Sequence, residues 1–135
     1  MAAYHPKRFW KLMGVETPCA APTAEAAGVA ARRWCEKHGS MAEDTKDTKD
    51  TKLLALFAHA PHLYHSAKPL TKLADFKDLK IRTGGNGVKI AKILGAVPVF
   101  TPPGATNEPL AKGTRDASQF PWESVKGFRL AGVTS

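Results

Sequence analysis

The sequence predicts an α/β protein built around a mainly parallel sheet, and three observations carry that expectation. From residue 79 onward, short β-prone segments alternate with helical patterns of about ten residues, the rhythm of α/β units. The turn Gly84-Gly85-Asn86-Gly87 joins a strand pattern to a helical one, where the backbone needs positive φ. The run LLALFAHA at 53–60 is continuously apolar and of strand length, as suits a buried parallel strand. At 135 residues the chain has the size of one domain.

Residues 1–22 should be irregular, because Pro6, Pro18 and Pro22 interrupt any long element. The stretch TAEAAGVAARRWCEKHG predicts a helix over about 24–38. Thr23 is its N-cap, Gly39 its C-cap, and Ala26, Val29, Ala30 and Trp34 fall close to helical spacing. The triplet repeat DTKDTKDTK at 44–52 alternates charge and has nothing to bury, so it reads as a solvated loop or helix end. LTKLADFKDL predicts a helical turn leading into a strand at 79–83. There follow a helix at 87–94, a strand at 96–100, a helix at about 105–112, a strand at 114–119 and a helix at 122–131. Pro109 should shorten or kink the helix that contains it.

Twenty Lys and Arg against twelve Asp and Glu leave a net charge of +8 and a pI near 9.7. Such a balance favours anionic partners, whether nucleic acid, a membrane surface or small acids, and is also compatible with a merely soluble basic surface. Cys19 and Cys35 form neither a CxxC nor a metal-ligand spacing, which predicts two free thiols rather than a disulfide. No apolar run approaches the roughly 20 residues of a membrane span, so the chain is not expected to be membrane-embedded. The opening MAAYHPKRFWKLMG is basic but lacks the apolar core of a secretory signal, which predicts a cytoplasmic location if the chain is made as written.

The glycine loop fits no phosphate template. There is no GxxxxGK followed by Ser or Thr, and GxGxxG started at Gly85 meets Ile90 where its third glycine belongs. About twenty positions on, where a ribose-binding acid should lie, residue 107 is Asn with Glu108 beside it. A phosphate- or nucleotide-binding α/β enzyme using residues 84–87 is therefore an alternative function, and a basic nucleic-acid-binding protein, resting on charge alone, is a second. His59, His62 and His65 are spaced by three, but Pro61 and the run before it argue for extended chain, where residues three apart point to opposite faces. No metal site is assigned. No GxSxG elbow and no Cys/His spacing appears, and Asp75, Asp78, Glu108, Asp116 and Glu123 could pair only in space, so neither a catalytic residue nor a cofactor is assigned. Arg82 is the remaining candidate. It stands at the carboxyl end of a strand, where open α/β sheets place ligands, and a guanidinium matches a carboxylate with two parallel hydrogen bonds. A surface arginine at a strand end would occupy the same position.

The stretch DFKDLKIRTGGNGVKIAKILGAVPVFTPP, followed by LAKGTRDASQFPWESVKGFRL, resembles the DctP-type solute-binding proteins of TRAP transporters. The family's pattern there is a DLKGLKIR strand, a helix ending LGA, then PV and YEALQKGVVDG. APTAEAA, EKHG and KLLALFAHAPHLYHSAKPL are similar to its middle portion, so the likeness spans roughly residues 8–135. The resemblance implies a periplasmic-binding-protein-like α/β fold, with residues 1–65 as the tail of a first lobe and 66–135 as second-lobe α/β units. Family members are longer, which makes the chain look like an internal fragment. The implied function is a periplasmic binding protein, not an enzyme, that captures a small organic acid and delivers it to TRAP membrane permease subunits; no nucleic acid is involved. The arginine of the KIR strand, here Arg82, would grip the ligand carboxylate, and Gly84 would let the ligand approach the backbone. The pattern departs at several places. ETYEAL reads ATNEPL at 105–110, VVDGA reads TRDAS with Arg115 on a strand expected to be buried, and HGPG reads HAPH at 59–62. The Asn that many members carry before the proline is Phe120, which implies an apolar or aromatic wall from Phe120 and Trp122 in place of polar recognition. Core packing is the other reading of those two rings.

Overall fold

The structure, a computed structural model, describes residues 7, 9, 12, 14, 17, 20–39 and 54–134. The triplet repeat at 44–52, Cys19 and Leu53 lie outside the described residues. The chain divides into two compact units, Met1–Ala60 and Pro61–Ser135.

In the first unit, helix α1 spans Ala24–His38 and is closed at both ends by local chemistry. Thr23 stays extended, and its Oγ1 accepts a hydrogen bond from Ala26 N at 3.1 Å, while Gly39 takes the left-handed conformation at φ 61°. Glu25 in the first turn and Lys37 and His38 in the last complement the helix dipole. The apolar face is not the expected one. Ala31 and Cys35, a free thiol, are buried, whereas Val29 and Trp34 are about half exposed. The reason is Gly28, where a Cβ would stand 3.5 Å from Ala58 N: the backbone of 57–58 passes close to the helix along its small residues.

The run expected as a strand at 53–60 has no regular secondary structure over its described part, 54–60, and Leu54 and Phe57 are largely exposed. The strand lies beyond Pro61, as β1 (His62–Ser66), because that is where the chain meets a ladder partner. Apolarity alone does not supply the hydrogen bonds that define a strand.

The second unit is a four-stranded sheet in the order β1-β4-β2-β3. Strand β2 (Lys80–Arg82) lies parallel to β3 (Val97–Val99) and to β4 (Ala117–Pro121), while β1 pairs antiparallel with β4 at the edge. The expected mainly parallel sheet is thus present, and β1 belongs to this unit. Helix α2 (Gly87–Ile93) carries the chain from β2 to β3. A 3-10 turn at Pro103–Ala105 and helix α3 (Asn107–Ala111) return it across β2 to β4. Pro109 falls in the first turn of α3, where its missing N–H would have had no helical partner, and its carbonyl accepts from both Thr114 N and Arg115 N.

Those two bonds hold 114 and 115 against α3. The last strand therefore runs from 117 to 121 instead of 114–119, with Arg115 half-buried ahead of it. The expected helix at 122–131 is also divided. Helix α4 covers Ser124–Gly127, Arg129 is left-handed at φ 54°, and a 3-10 turn spans Leu130–Gly132. Asn107 Nδ2 donates to Arg129 O at 2.6 Å, and the break delivers Leu130, fully buried, beneath Phe120.

Alternation along β4 puts a core on each face of the sheet. Ala117 packs with Ile81, Ala91 of α2 and Ala96, flanked by Tyr64, Phe76 and Leu79. Phe120 packs on the other face with Leu110 of α3 and Leu130, flanked by Val125, Phe128 and Val133.

Candidate ligand site at the switch point of the sheet

The connection out of β2 steps to β3 on one side, and the connection out of β3 comes back to β4 on the other. The strand order thus reverses between β2 and β4, and the crevice outside their carboxyl ends is where an open α/β sheet accepts ligands. Two adjacent residues of each strand end meet there. On the α3 face, Arg82 is only 1% exposed; its Cζ lies 4.2 Å above the centre of the Phe120 ring, and its Nε donates to Thr101 O at 2.9 Å. The Phe120 ring is in turn seated on Phe128, centroid to centroid 4.9 Å. A guanidinium over an aromatic face with little water around it is strongly held in orientation.

On the α2 face, Thr83 Oγ1 donates to Gln119 Oε1 at 2.6 Å, with both residues buried. The loop that follows uses its glycines for different ends. Gly85 takes the positive φ, 56°, whereas Gly87 is needed for space: a Cβ there would strike Thr83 Oγ1 and Gln119 Oε1. Gly84, just before them, is half-buried, and its carbonyl accepts from Gly87 N at 3.1 Å.

At the far end of β4, Trp122 is 66% exposed and faces the His65 ring at 5.8 Å. His65 is itself buried, with Nε2 3.1 Å from Phe120 O, so β1 braces the strand end that carries Phe120 and Trp122. Of the four residues singled out in the sequence, Arg82 and Phe120 are in contact, Gly84 lies in the adjoining loop, and Trp122 stands outside the core at the rim. Thr83 and Gln119 escaped sequence reasoning, and His65 was weighed there only as a metal ligand. The first two could have been found by stepping one residue on from Arg82 and one back from Phe120; His65 required the β1–β4 register. Among the described residues no three His, Cys, Asp or Glu side chains gather as a metal site, and His62 and His65 lie on opposite faces of β1.

A buried arginine over an aromatic ring at a switch point is an arrangement that can hold a small anion. The chain belongs to the bacterial extracellular solute-binding protein family 7, DctP, whose model matches residues 26–135. No curated protein matches it. Among solved structures it is similar to a marine metagenome TRAP solute-binding protein from an unidentified microbe. That protein is specific for aromatic acid ligands and was crystallised with 3-hydroxybenzoate (34% identity, TM-score 0.84, covering 99% of this chain and 41% of that one). It is also similar to a TRAP solute-binding protein from Rhodoferax ferrireducens with copurified benzoate (34%, 0.82, 98% and 40%). A third is the TRAP periplasmic solute-binding protein of Bordetella bronchiseptica with bound (R)- and (S)-mandelate (34%, 0.78, 98% and 42%). The chain spans about two-fifths of the length of these receptors, so its α/β fold corresponds to part of a lobed receptor. The family and these neighbours are solute receptors, not enzymes, and the family is periplasmic. Among the described residues no helix is long and apolar enough to cross a membrane.

Proposed function

We propose that this chain supplies the anion-gripping part of a TRAP-type receptor for a small aromatic carboxylate, which the receptor carries to its membrane permease in the periplasm. The observation that carries the reading is Arg82, buried at the carboxyl end of β2 and laid over the Phe120 ring. Its guanidinium pairs with the ligand carboxylate, Phe120 and Trp122 provide the aromatic wall, and Gly84 allows the ligand close to the backbone. Residues 66–135 act as second-lobe α/β units, with residues 1–65 as the tail of the first lobe. The ligands of the three structural neighbours, all aromatic carboxylates, support this class over other organic acids.

Calorimetric titration of the full chain with benzoate, 3-hydroxybenzoate and mandelate, beside galacturonate, ATP, NAD and a DNA oligonucleotide, tests the reading. The aromatic acids should bind and the others should not. Arg82→Ala should weaken benzoate by at least roughly 30-fold, the lower edge of the cost of unpairing a buried charge. Arg82→Lys, which keeps the charge and loses the fork, should fall in between. Binding of ATP or DNA without any response to the acids would sink the receptor reading.

A further inference from the structure

We propose that Gln119, which rests on the receptor reading above, is a specificity-determining residue of the site: its side-chain amide donates from Nε2 to a hydrogen-bond acceptor of the bound acid. Gln119 neighbours Phe120 on β4, and its partner Thr83 neighbours Arg82 on β2, so the two contacting pairs straddle the same switch point. The amide is not free to turn. Thr83 Oγ1 donates to Oε1 at 2.6 Å, which fixes the carbonyl side inward and leaves the NH₂ side as the group on offer. Gly87 maintains that arrangement, since any Cβ there would collide with Thr83 Oγ1 and Gln119 Oε1 together.

Among the described residues no protein group accepts from Nε2, and the nitrogen is not sealed from solvent as the Ser118 and Tyr64 oxygens are. A nearly buried, orientation-locked donor with no acceptor of its own is built to be completed by a ligand, because a site polar group left unpaired penalises any ligand that does not match it. Its sign agrees with Arg82: both offer hydrogen and neither accepts, so an anion rich in acceptors satisfies the pair while a cation or an apolar ring does not.

Gln119→Glu decides the matter. It keeps the shape and the Thr83 hydrogen bond but replaces the outward donor with a negatively charged acceptor. Benzoate titrated into the full chain should bind Gln119→Glu roughly 10-fold more weakly than wild type or worse, with the Arg82 contacts untouched. Gln119→Met, of similar size and with no donor, should also lose affinity, and wild-type affinity in it overturns the assignment if the glutamate variant does not fold. A role confined to supporting Thr83 predicts instead that Gln119→Glu binds like wild type and only Gln119→Met is impaired. Wild-type affinity in Gln119→Glu overturns the assignment while leaving the receptor reading intact. A wild-type chain that binds none of the aromatic acids overturns both.

Discussion

Ser118 shares a register rung with Arg82 and lies two residues before Phe120 on the same face of β4, yet its hydroxyl contributes nothing in the structure. The residue is 0% exposed, and Oγ has no hydrogen-bond partner among the described residues. A buried hydroxyl without a partner keeps its desolvation penalty, so removing it should help. Ser118→Ala is expected to raise stability by about 1 kcal/mol, a rise in melting temperature of about 4 °C, without altering the backbone. An unchanged or lower melting temperature in scanning calorimetry would show that the hydroxyl is satisfied in solution. Arg82 makes the opposite case at the same rung. Its burial is compensated by the Thr101 carbonyl and the Phe120 face, and that compensation is why a cation can sit at 1% exposure in a small domain.

Strand β2 is only three residues long, and its start is held by a side chain acting as a ladder rung. Asp116 N donates to Lys80 O at 3.0 Å, and Asp116 Oδ2 accepts from Lys80 N at 2.8 Å, so one residue satisfies both backbone groups of Lys80. The aspartate of the KGxxD pattern is thus a clamp between β2 and β4. Asp116→Ala should cost about 1.5 kcal/mol or more in urea unfolding, and Asp116→Asn, which keeps an acceptor, clearly less. Equal losses in the two variants would mean that the clamp does not depend on the acceptor. This clamp also shows what was legible in sequence and what was not. Helix α1 was readable end to end because its caps at Thr23 and Gly39 are local. The β2–α2–β3 order was readable because the glycine turn and the change of period lie within a few residues. The division of 122–131 was not, since the left-handed Arg129 is anchored by Asn107, 22 residues away. Nor was the displacement of the strand from 53–60 to 62–66, because a continuous apolar run has no period to betray its register. At the candidate site, the place of Arg82 at a strand end was legible, while the contact of Gln119 with Thr83 was not, because it spans 36 residues.

Across the whole molecule, two of the described groups, Asp75 and Tyr64, are shifted in directions that make stability depend on pH. Asp75 is held below the usual carboxylate range by the backbone N–H groups of Thr71 and Lys72, with the Thr71 hydroxyl adding to them. Its contribution is present above the unfolded aspartate pKa of about 3.9 and is lost as pH falls through the lower folded value. Protonation there also adds to a chain already carrying +8, so self-repulsion works in the same direction. Tyr64 is the converse. Burial against Phe76 raises its pKa, and its hydroxyl has no partner among the described residues. Its neutral form is favoured in the fold, so the contribution is complete below the unfolded tyrosine pKa of about 10 and is lost as pH climbs toward the raised folded value. Urea unfolding followed from pH 3 to 11 should therefore show a plateau that falls away below about pH 4 and above about pH 10. Tyr64→Phe should extend the alkaline edge and leave the acid edge in place, while Asp75→Asn should flatten the acid edge alone. If Tyr64→Phe loses stability above pH 10 as steeply as wild type, the buried phenol is not what limits the alkaline side.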